Sequence, residues 1–300
     1  MSNMLPEIIA VVGTNASGKS GLGVQLALRY GGEIVSADSR QVYRGLDVGS
    51  GKITPEEMRG VPHHLLDVCD AGDFFSMADF QRLAFAALEG ITARGRLPFL
   101  VGGTGLYVDS VVKGYALSDV KPDLAYRDEL ETYATPELYR MLLALAPDTD
   151  VDPLNRNRVM RRLEKLHDGD AGHGEARPRY RTLQLGVTWP REALCRRIDE
   201  RLERRMQNGL EAEVKGLLDA GVSPAFLRGL GLEYRYVSAW LRGEYPSQEE
   251  MLAVLAREIK RFAKRQMTWF KRDRGILWLD MADNPVGQAR EAIDAFLVEP

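Results

Sequence analysis

Residues 13–20, Gly13-Thr14-Asn15-Ala16-Ser17-Gly18-Lys19-Ser20, fit the pattern G-x-x-x-x-G-K-[ST] at every fixed position. The β-branched run Ile8-Ile9-Ala10-Val11-Val12 leads into it, and Leu22, Leu26 and Leu28 follow at spacings that a short amphipathic helix uses. The context is strand, loop, helix. In that geometry the glycines let the backbone curl until successive N–H groups and the helix N-terminus face anionic oxygens, while Lys19 adds a full charge and Ser20 offers a ligand for Mg²⁺. A glycine turn that merely caps a helix would not need both flanking elements. The motif binds phosphate without naming a reaction, since such cradles serve nucleotide hydrolysis, phosphoryl transfer and any chemistry whose leaving group is diphosphate.

Three hundred residues suggest two domains, or one large domain carrying an insertion. The formal charge of -3 excludes a global attraction to nucleic acid or to an anionic membrane, so a polyanion site must be a local patch. Two distant cysteines, Cys69 and Cys195, fit neither a disulfide framework nor a zinc site, and a reducing cytosol is the expectation. No charged segment with an apolar core and cleavage site marks a signal peptide, and no run approaches the roughly 18–20 apolar residues of a membrane span. A soluble, cytoplasmic protein without a membrane partner is expected.

After the first helix, Glu33-Ile34-Val35-Ser36-Ala37 reads as a second strand that delivers Asp38-Ser39-Arg40-Gln41-Val42-Tyr43-Arg44 at its carboxyl end. In a parallel α/β sheet the ligand crevice lies at that edge, beside the phosphate loop. Asp38 is therefore either a functional carboxylate or the cap of the next turn. His63 and His64 are adjacent, so on a strand they point to opposite faces, and a structural role outweighs a metal site. Residues 77–94 read as a crossover helix through Phe80, Leu83, Ala84, Ala87, Leu88 and Ile91. Leu97-Pro98-Phe99-Leu100-Val101 then reads as a strand running into a second glycine-rich turn, Gly102-Gly103-Thr104-Gly105. No acidic residue ends this strand, which lowers the nucleotide-hydrolase class. Thr104 either presents a hydroxyl to the first loop or caps the next helix.

From residue 115 strand signals vanish until about 181, which predicts an inserted helical domain over 115–180. The core domain is then residues 1–114 and 181–300. The most basic stretch of the insertion is Asn155-Arg156-Asn157-Arg158-Val159-Met160-Arg161-Arg162, and residues 168–179, rich in Gly and ending near Pro178, read as a hinge loop. Thr182-Leu183-Gln184-Leu185-Gly186-Val187 reads as a returning strand, with Pro190 at the first position of a following helix. Leu194, Ile198, Leu202 and Met206 form that helix's apolar stripe. Beside them Arg197, Arg201 and Arg205 make a row at i, i+4 spacing, either a solvated face paired with Glu192, Asp199, Glu200 and Glu203 or an anion clamp. Residues 248–272 predict a last long helix burying Leu252, Leu255, Ile259, Phe262, Met267 and Phe270. Its other face carries the densest basic patch, with Trp269 and Phe270 interleaved as in surfaces that stack bases; an ordinary charged outer face is the alternative. A short strand, Ile276-Leu277-Trp278-Leu279, and a closing helix from Pro285 complete the chain. The fold class is α/β: a P-loop NTPase-like parallel sheet flanked by helices, with an inserted helical domain.

In this order the blocks Gly13 to Ser20, Asp38-Ser39-Arg40-Gln41-Val42-Tyr43-Arg44-Gly45-Leu46-Asp47-Val48-Gly49, Pro62-His63-His64-Leu65-Leu66-Asp67, Val101-Gly102-Gly103-Thr104-Gly105-Leu106-Tyr107 and Lys264-Arg265-Gln266-Met267-Thr268-Trp269-Phe270 resemble the tRNA dimethylallyltransferases over nearly the whole chain. The resemblance implies transfer of a dimethylallyl group from dimethylallyl diphosphate to N6 of the adenosine 3′ of the anticodon, with release of diphosphate. Lys19, the loop residues Gly13 to Ser20, Ser20 with Mg²⁺, and Arg201 would then stabilise the leaving group. An adenine amine is a poor nucleophile, so a carboxylate must hold it and take its proton, and Asp38 is the candidate. By resemblance Thr104 lies beside the reacting amine. The contacts to the tRNA anticodon stem-loop fall on Asp38, Ser39, Arg40 and Gln41, on Arg127, Asn157, Arg158 and Arg161 of the insertion, and on Lys264, Arg265, Gln266, Thr268, Trp269 and Lys271. A monomer is expected.

Two positions depart from the family pattern. Thr14-Asn15 stands where Pro-Thr is usual, and Gly229-Leu230-Gly231-Leu232-Glu233-Tyr234-Arg235 alters the common Ile-Gly-Tyr version. The competing readings are an ATP-dependent small-molecule kinase on the same loop, a prenyltransferase acting on free adenine nucleotide, and a non-catalytic RNA-binding module.

Overall fold

The computed structural model describes residues 5–117, 123–169 and 175–298. It separates into two compact units, one formed by Met1–Gly114 with Pro178–Pro300 and the other by Tyr115–Arg177.

The larger unit is built on a six-stranded sheet in the order β3-β2-β4-β1-β5-β6. Its strands are β1 (Glu7–Gly13), β2 (Glu33–Ala37), β3 (His63–His64), β4 (Pro98–Gly102), β5 (Arg181–Thr188) and β6 (Ile276–Asp280), and every neighbouring pair is parallel. β1 lies between β4 and β5, and its alternate residues feed different layers. Ile8, Ala10 and Val12 pack against Phe80, Leu88 and Ile91 of α3 (Met77–Ala93) and Val108 of α4 (Gly105–Val112). Ile9 and Val11 pack against Leu22 and Leu26 of α1 (Lys19–Tyr30) and Ile293 of α13 (Pro285–Val298). A strand covered on both faces must be apolar at successive positions, which is why 8–12 is unbroken. β1 is also where the chain order along the sheet reverses, and its carboxyl end is the phosphate loop, the usual place for a ligand crevice.

A helical layer covers the carboxyl edge: α8 (Arg191–Gln207), α9 (Leu210–Asp219), α10 (Pro224–Leu230), α11 (Leu232–Leu241) and α12 (Gln248–Phe270). Its core joins Ile198, Leu202, Leu210, Tyr234 and Leu255 to Val42 and Leu46 of the segment after β2. That segment also carries the short helix α2 (Pro55–Met58), closed at its start by a capping box between Thr54 and Glu57. The smaller unit is helical among its described residues, with α5 (Leu124–Glu131), α6 (Thr135–Leu145) and α7 (Arg156–His167) around Leu130, Leu138, Leu142, Val159 and Leu163.

Several sequence expectations change. Leu28 is 42% exposed, outside the buried face of α1 that Leu22, Gly23, Val24, Leu26 and Ala27 form. Pro190 is the N-cap of α8, not its first residue: its ψ of 139° is extended. The buried stripe of α12 is Met251, Leu255, Ile259, Ala263, Gln266 and Phe270, with Leu252, Phe262 and Met267 at its margin. Phe270 is 3% exposed in the core, so it offers no face for stacking a base. Within the expected hinge loop, residues 170–174 lie outside the described residues. Among the described residues no helix is long and apolar enough to cross a membrane.

Candidate active site

The phosphate loop takes its shape from two left-handed residues, Ala16 at φ 60° and Gly18 at φ 89°. Such alternation turns successive N–H groups toward one concavity, and glycine alone adopts the second conformation without steric cost. α1 starts directly after Gly18 with no side-chain cap and no acidic residue in its first turn. Its unpaired N–H groups and positive dipole end are left for an anion. Ser17 Oγ is buried without a partner, a further donor of the same kind. Lys19 is buried and donates from Nζ to the Thr14 carbonyl at 3.2 Å.

The opposite wall is the arginine row of α8. Of the two readings open for this row, pairing with acids of the same helix is not what the side chains do. Arg197 donates from Nε to the Ala16 carbonyl at 2.9 Å and stacks over Trp189, whose Nε1 donates to the Ser17 carbonyl at 2.9 Å. Arg201 reaches the Gly51 carbonyl at 3.5 Å, and Arg205 is ion-paired with Glu233. A Cβ on Gly51 would fall inside the guanidiniums of both Arg201 and Arg205, so only glycine lets them lie against that backbone. Between the walls is an open cavity of about 800 Å³ lined by the phosphate loop, Asp38, Gln41 and the arginines. A smaller recess joins Lys19, Ser20, Asp38 and Gln41 to an apolar floor of Ile34, Ile53 and Val101.

Asp38 closes the third side. Its Oδ1 accepts from the Arg40 N–H at 3.0 Å and lies 3.6 Å from Arg40 Nε. Burial pushes its carboxyl upward, but the charge and N–H of Arg40, with Lys19 and Arg201, outweigh burial and hold it below its usual value. The cations respond in the opposite sense. Burial, helped by Arg201, Arg40 and Arg205 against Asp38, brings Lys19 down to about 8. Burial and the neighbouring Arg205 bring Arg201 down to about 9. Five cations (Lys19, Arg40, Arg197, Arg201, Arg205) thus surround two carboxylates (Asp38, Glu233), an excess of positive charge that an oligophosphate would neutralise.

Thr104 does not cap α4 with its side chain. Its Oγ1 accepts from the Ser39 N–H at 3.1 Å and donates toward Ser39 Oγ at 3.4 Å, tying the second glycine turn to the Asp38 loop. Gln266 of α12 is 8% exposed, accepts from the Asn15 N–H at 2.9 Å and donates to the Gly103 carbonyl at 2.8 Å. It is a strut between two loops, not part of an exposed RNA-facing surface. Arg40 is likewise buried, with Nη1 on Glu233 at 2.8 Å, and is withdrawn from such a surface.

Gln41, another expected RNA contact, lines the cavity and donates from Nε2 to the Gly51 carbonyl at 3.2 Å. Lys264, Arg265 and Thr268 are on the exposed face of α12 and Lys271 is its exposed C-cap, and Thr268 Oγ1 donates to the Lys264 carbonyl. Trp269 is half-buried, donates to Asp109 at 3.2 Å and carries Arg272 over its ring at 5.2 Å. In the smaller unit Asn157 and Arg158 are exposed, while Arg127 and Arg161 both face the buried carboxylate of Glu164 at 3.2 Å and 3.0 Å. His63 donates to the Val61 carbonyl and His64 pairs with Glu33, the structural use.

Sequence reasoning missed Glu233, Arg205's partner, and Glu213, which accepts from the N–H groups of Asp47, Val48 and Gly49 at 2.8, 2.6 and 2.9 Å. The available signal was a charged residue set among Leu230, Leu232, Tyr234 and Val237, on a helix otherwise turned inward. Among the described residues no group of three or more His, Cys, Asp or Glu gathers to hold a metal. Ser20, which lines the recess at the start of α1, is the residue there that could hold Mg²⁺ together with substrate phosphates.

Fold and site together define a P-loop NTPase-like α/β protein with an arginine-walled cavity and, on its rim, an aspartate held below its usual carboxylate value. The IPP transferase family model matches residues 41–273. The chain is 41% identical to a tRNA dimethylallyltransferase of Desulforudis audaxviator, over 96% of this chain and 97% of that one. It is similar to the crystal structure of the full-length tRNA isopentenylpyrophosphate transferase of Bacillus halodurans, with TM-score 0.74, 39% identity and 96% of each chain covered. A eukaryotic dimethylallyltransferase crystallised acting on tRNA shares the fold at TM-score 0.79 and 24% identity, over 98% of this chain and 79% of that one. This chain belongs to the IPP transferase family, that of the tRNA dimethylallyltransferases.

Proposed function

We propose that this protein transfers the dimethylallyl group of dimethylallyl diphosphate to N6 of the adenosine 3′ of the anticodon in tRNA, releasing diphosphate. The observation that carries this reading is Asp38, a carboxylate held ionised on the rim of a cavity whose other walls are cationic. A carboxylate in that place can take the nitrogen-bound proton that an adenine amine sheds on alkylation, and the chain's membership of the IPP transferase family supports that amine over a kinase's hydroxyl as the nucleophile.

In the reaction N6 attacks C1 of the dimethylallyl group, the C1–O bond breaks, and its electron pair leaves on the diphosphate. Lys19, Arg201 and the loop N–H groups left unspent, those of Ala16 and Gly18 with the first turn of α1, would receive the developing charge at little cost in reorganisation, while the Asn15 N–H is held by Gln266 and the Ser17 N–H by the Thr14 carbonyl. Asp38 accepts the proton released from N6, and Thr104, fixed by Ser39, lies ready to orient the amine. Ser20 would hold Mg²⁺, which when bound neutralises phosphate charge. An adenine stacked in an anticodon loop cannot enter such a cavity, so the nucleotide must be extruded, and exposed cations would hold the flanking phosphates. Lys264 and Arg265 of α12, Lys271 at its C-cap, and Arg158 with Asn157 of the smaller unit fit that task. The enzyme is read as acting in the cytoplasm as a monomer.

The test is transfer of label from dimethylallyl diphosphate, with Mg²⁺, to an unmodified anticodon stem-loop, with AMP and ATP as rival substrates in parallel. Label in tRNA, lost in Asp38→Ala while tRNA binding persists, is the expected result. Label moving to AMP alone, or phosphate moving from ATP, would reject the reading.

A further inference from the structure

Glu233, on α11, is 1% exposed, and each of its carboxylate oxygens is taken by a different arginine: Oε2 by Arg40 at 2.8 Å and Oε1 by Arg205. Those arginines lead to opposite halves of the site. Arg40 holds Asp38 through its N–H and Nε. Arg205 shares the surface of Gly51 with Arg201, and Arg201 touches the Gly51 carbonyl. The loop carrying Gly51 is itself fastened from α11: Tyr234, the next residue, donates to Glu213 at 2.8 Å, and Glu213 accepts the three N–H groups of residues 47–49. One turn of α11 thus fixes both the guanidiniums and the backbone they rest on.

A buried carboxylate between two arginines is seldom the most stable filling of such a space, since apolar residues of similar volume avoid the desolvation. Here it does something apolar residues cannot. Arg40 and Arg205 are like charges meeting on one carboxylate, with Arg201 beside Arg205 over Gly51, and without the central anion they would spread apart. We propose that Glu233 is a positioning residue for the prenyl transfer, setting through Arg205 the place of the leaving-group cation Arg201 and through Arg40 the place of the base Asp38. This rests on the function proposed above. It also gives a role to the segment of residues 229–235 that departs from the family pattern.

The experiment compares wild type, Glu233→Gln and Glu233→Asp in two measurements: affinity and stoichiometry of inorganic diphosphate binding by calorimetry at neutral pH, and steady-state prenylation of the stem-loop. Glu233→Gln deletes the charge that gathers Arg40 and Arg205, and Glu233→Asp keeps the charge and loses reach. In both, kcat should fall about 10- to 100-fold through misplaced groups while diphosphate still binds at full stoichiometry. Unchanged kcat in both variants overturns the proposal, as does a binding stoichiometry that falls by the same factor as kcat, the mark of a merely structural role. If Glu233→Gln does not fold, Glu233→Asp decides alone by the same two criteria. If the wild type transfers no prenyl group, the functional reading fails by itself, and the diphosphate affinity of Glu233→Asp then decides whether Glu233 places Arg201, weaker binding at full stoichiometry supporting it and unchanged affinity overturning it.

Discussion

Lys19 answers two opposed demands at once. Burial and three neighbouring arginines favour its neutral form, bringing it down to about 8, and only Asp38 resists them. An arriving diphosphate reverses the balance, because its charge favours the ammonium. Since the protonated form is the one that binds anion, affinity is complete below about pH 8 and declines above it. We expect kcat/KM for dimethylallyl diphosphate to be flat near neutral pH and to fall by about tenfold per pH unit once Lys19 has titrated. Lys19→Gln should flatten that limb while raising KM, as a pH series of initial rates would reveal. The acid side should show no matching loss from Asp38 at about pH 5 and above, because its neighbours hold that carboxyl below its ordinary value. A limb near neutrality that persisted in Lys19→Gln would assign the titration to another group.

At the scale of elements, α12 joins two loops distant in sequence. Gln266 accepts from Asn15 and donates to Gly103, so the phosphate loop and the second glycine turn share one rigid helix. Gln266→Ala removes two buried hydrogen bonds and leaves both backbone groups unpaired, a loss of about 2 kcal/mol. Its melting temperature should fall, and inorganic diphosphate should bind more weakly because the loop amides are no longer held. A variant with wild-type diphosphate affinity would show that the loop holds its own shape. The same helix marks where sequence patterns are legible. The strands were read well because β1, β2 and β4 are buried on both faces and their apolar runs are unbroken. On α12 the stripe was misplaced because its inner positions include Ala263, too small to stand out, and Gln266, polar but spent on backbone partners. Hydrophobicity identifies a buried face only where packing, not hydrogen bonding, fills it.

For the whole molecule, a net charge of -3 conceals a strongly cationic cavity and separate basic surfaces. The half of the site that runs contiguously through residues 13–20 and 38–41 was visible in the chain; the half supplied by Glu213 and Glu233 was not, because its meaning lies in partners 164 and 193 residues away in sequence. The arginines of the smaller unit show the same limit, since spacing cannot tell a solvated guanidinium from one facing a buried acid. Arg161 and Arg127 meet Glu164, which is 1% exposed, so Arg161→Ala should destabilise that unit by about 1 kcal/mol, the partly solvated arginine limiting the loss. Arg158 and Lys264 instead face solvent. If they hold RNA phosphates, the pair Arg158→Ala and Lys264→Ala should weaken stem-loop binding about tenfold and reduce its salt dependence by about two phosphate contacts. Melting temperature and inorganic diphosphate affinity should stay at wild-type values, because neither side chain lines the anion cavity. Filter binding across a salt series measures both quantities, and an unchanged slope would move the RNA contact to another surface.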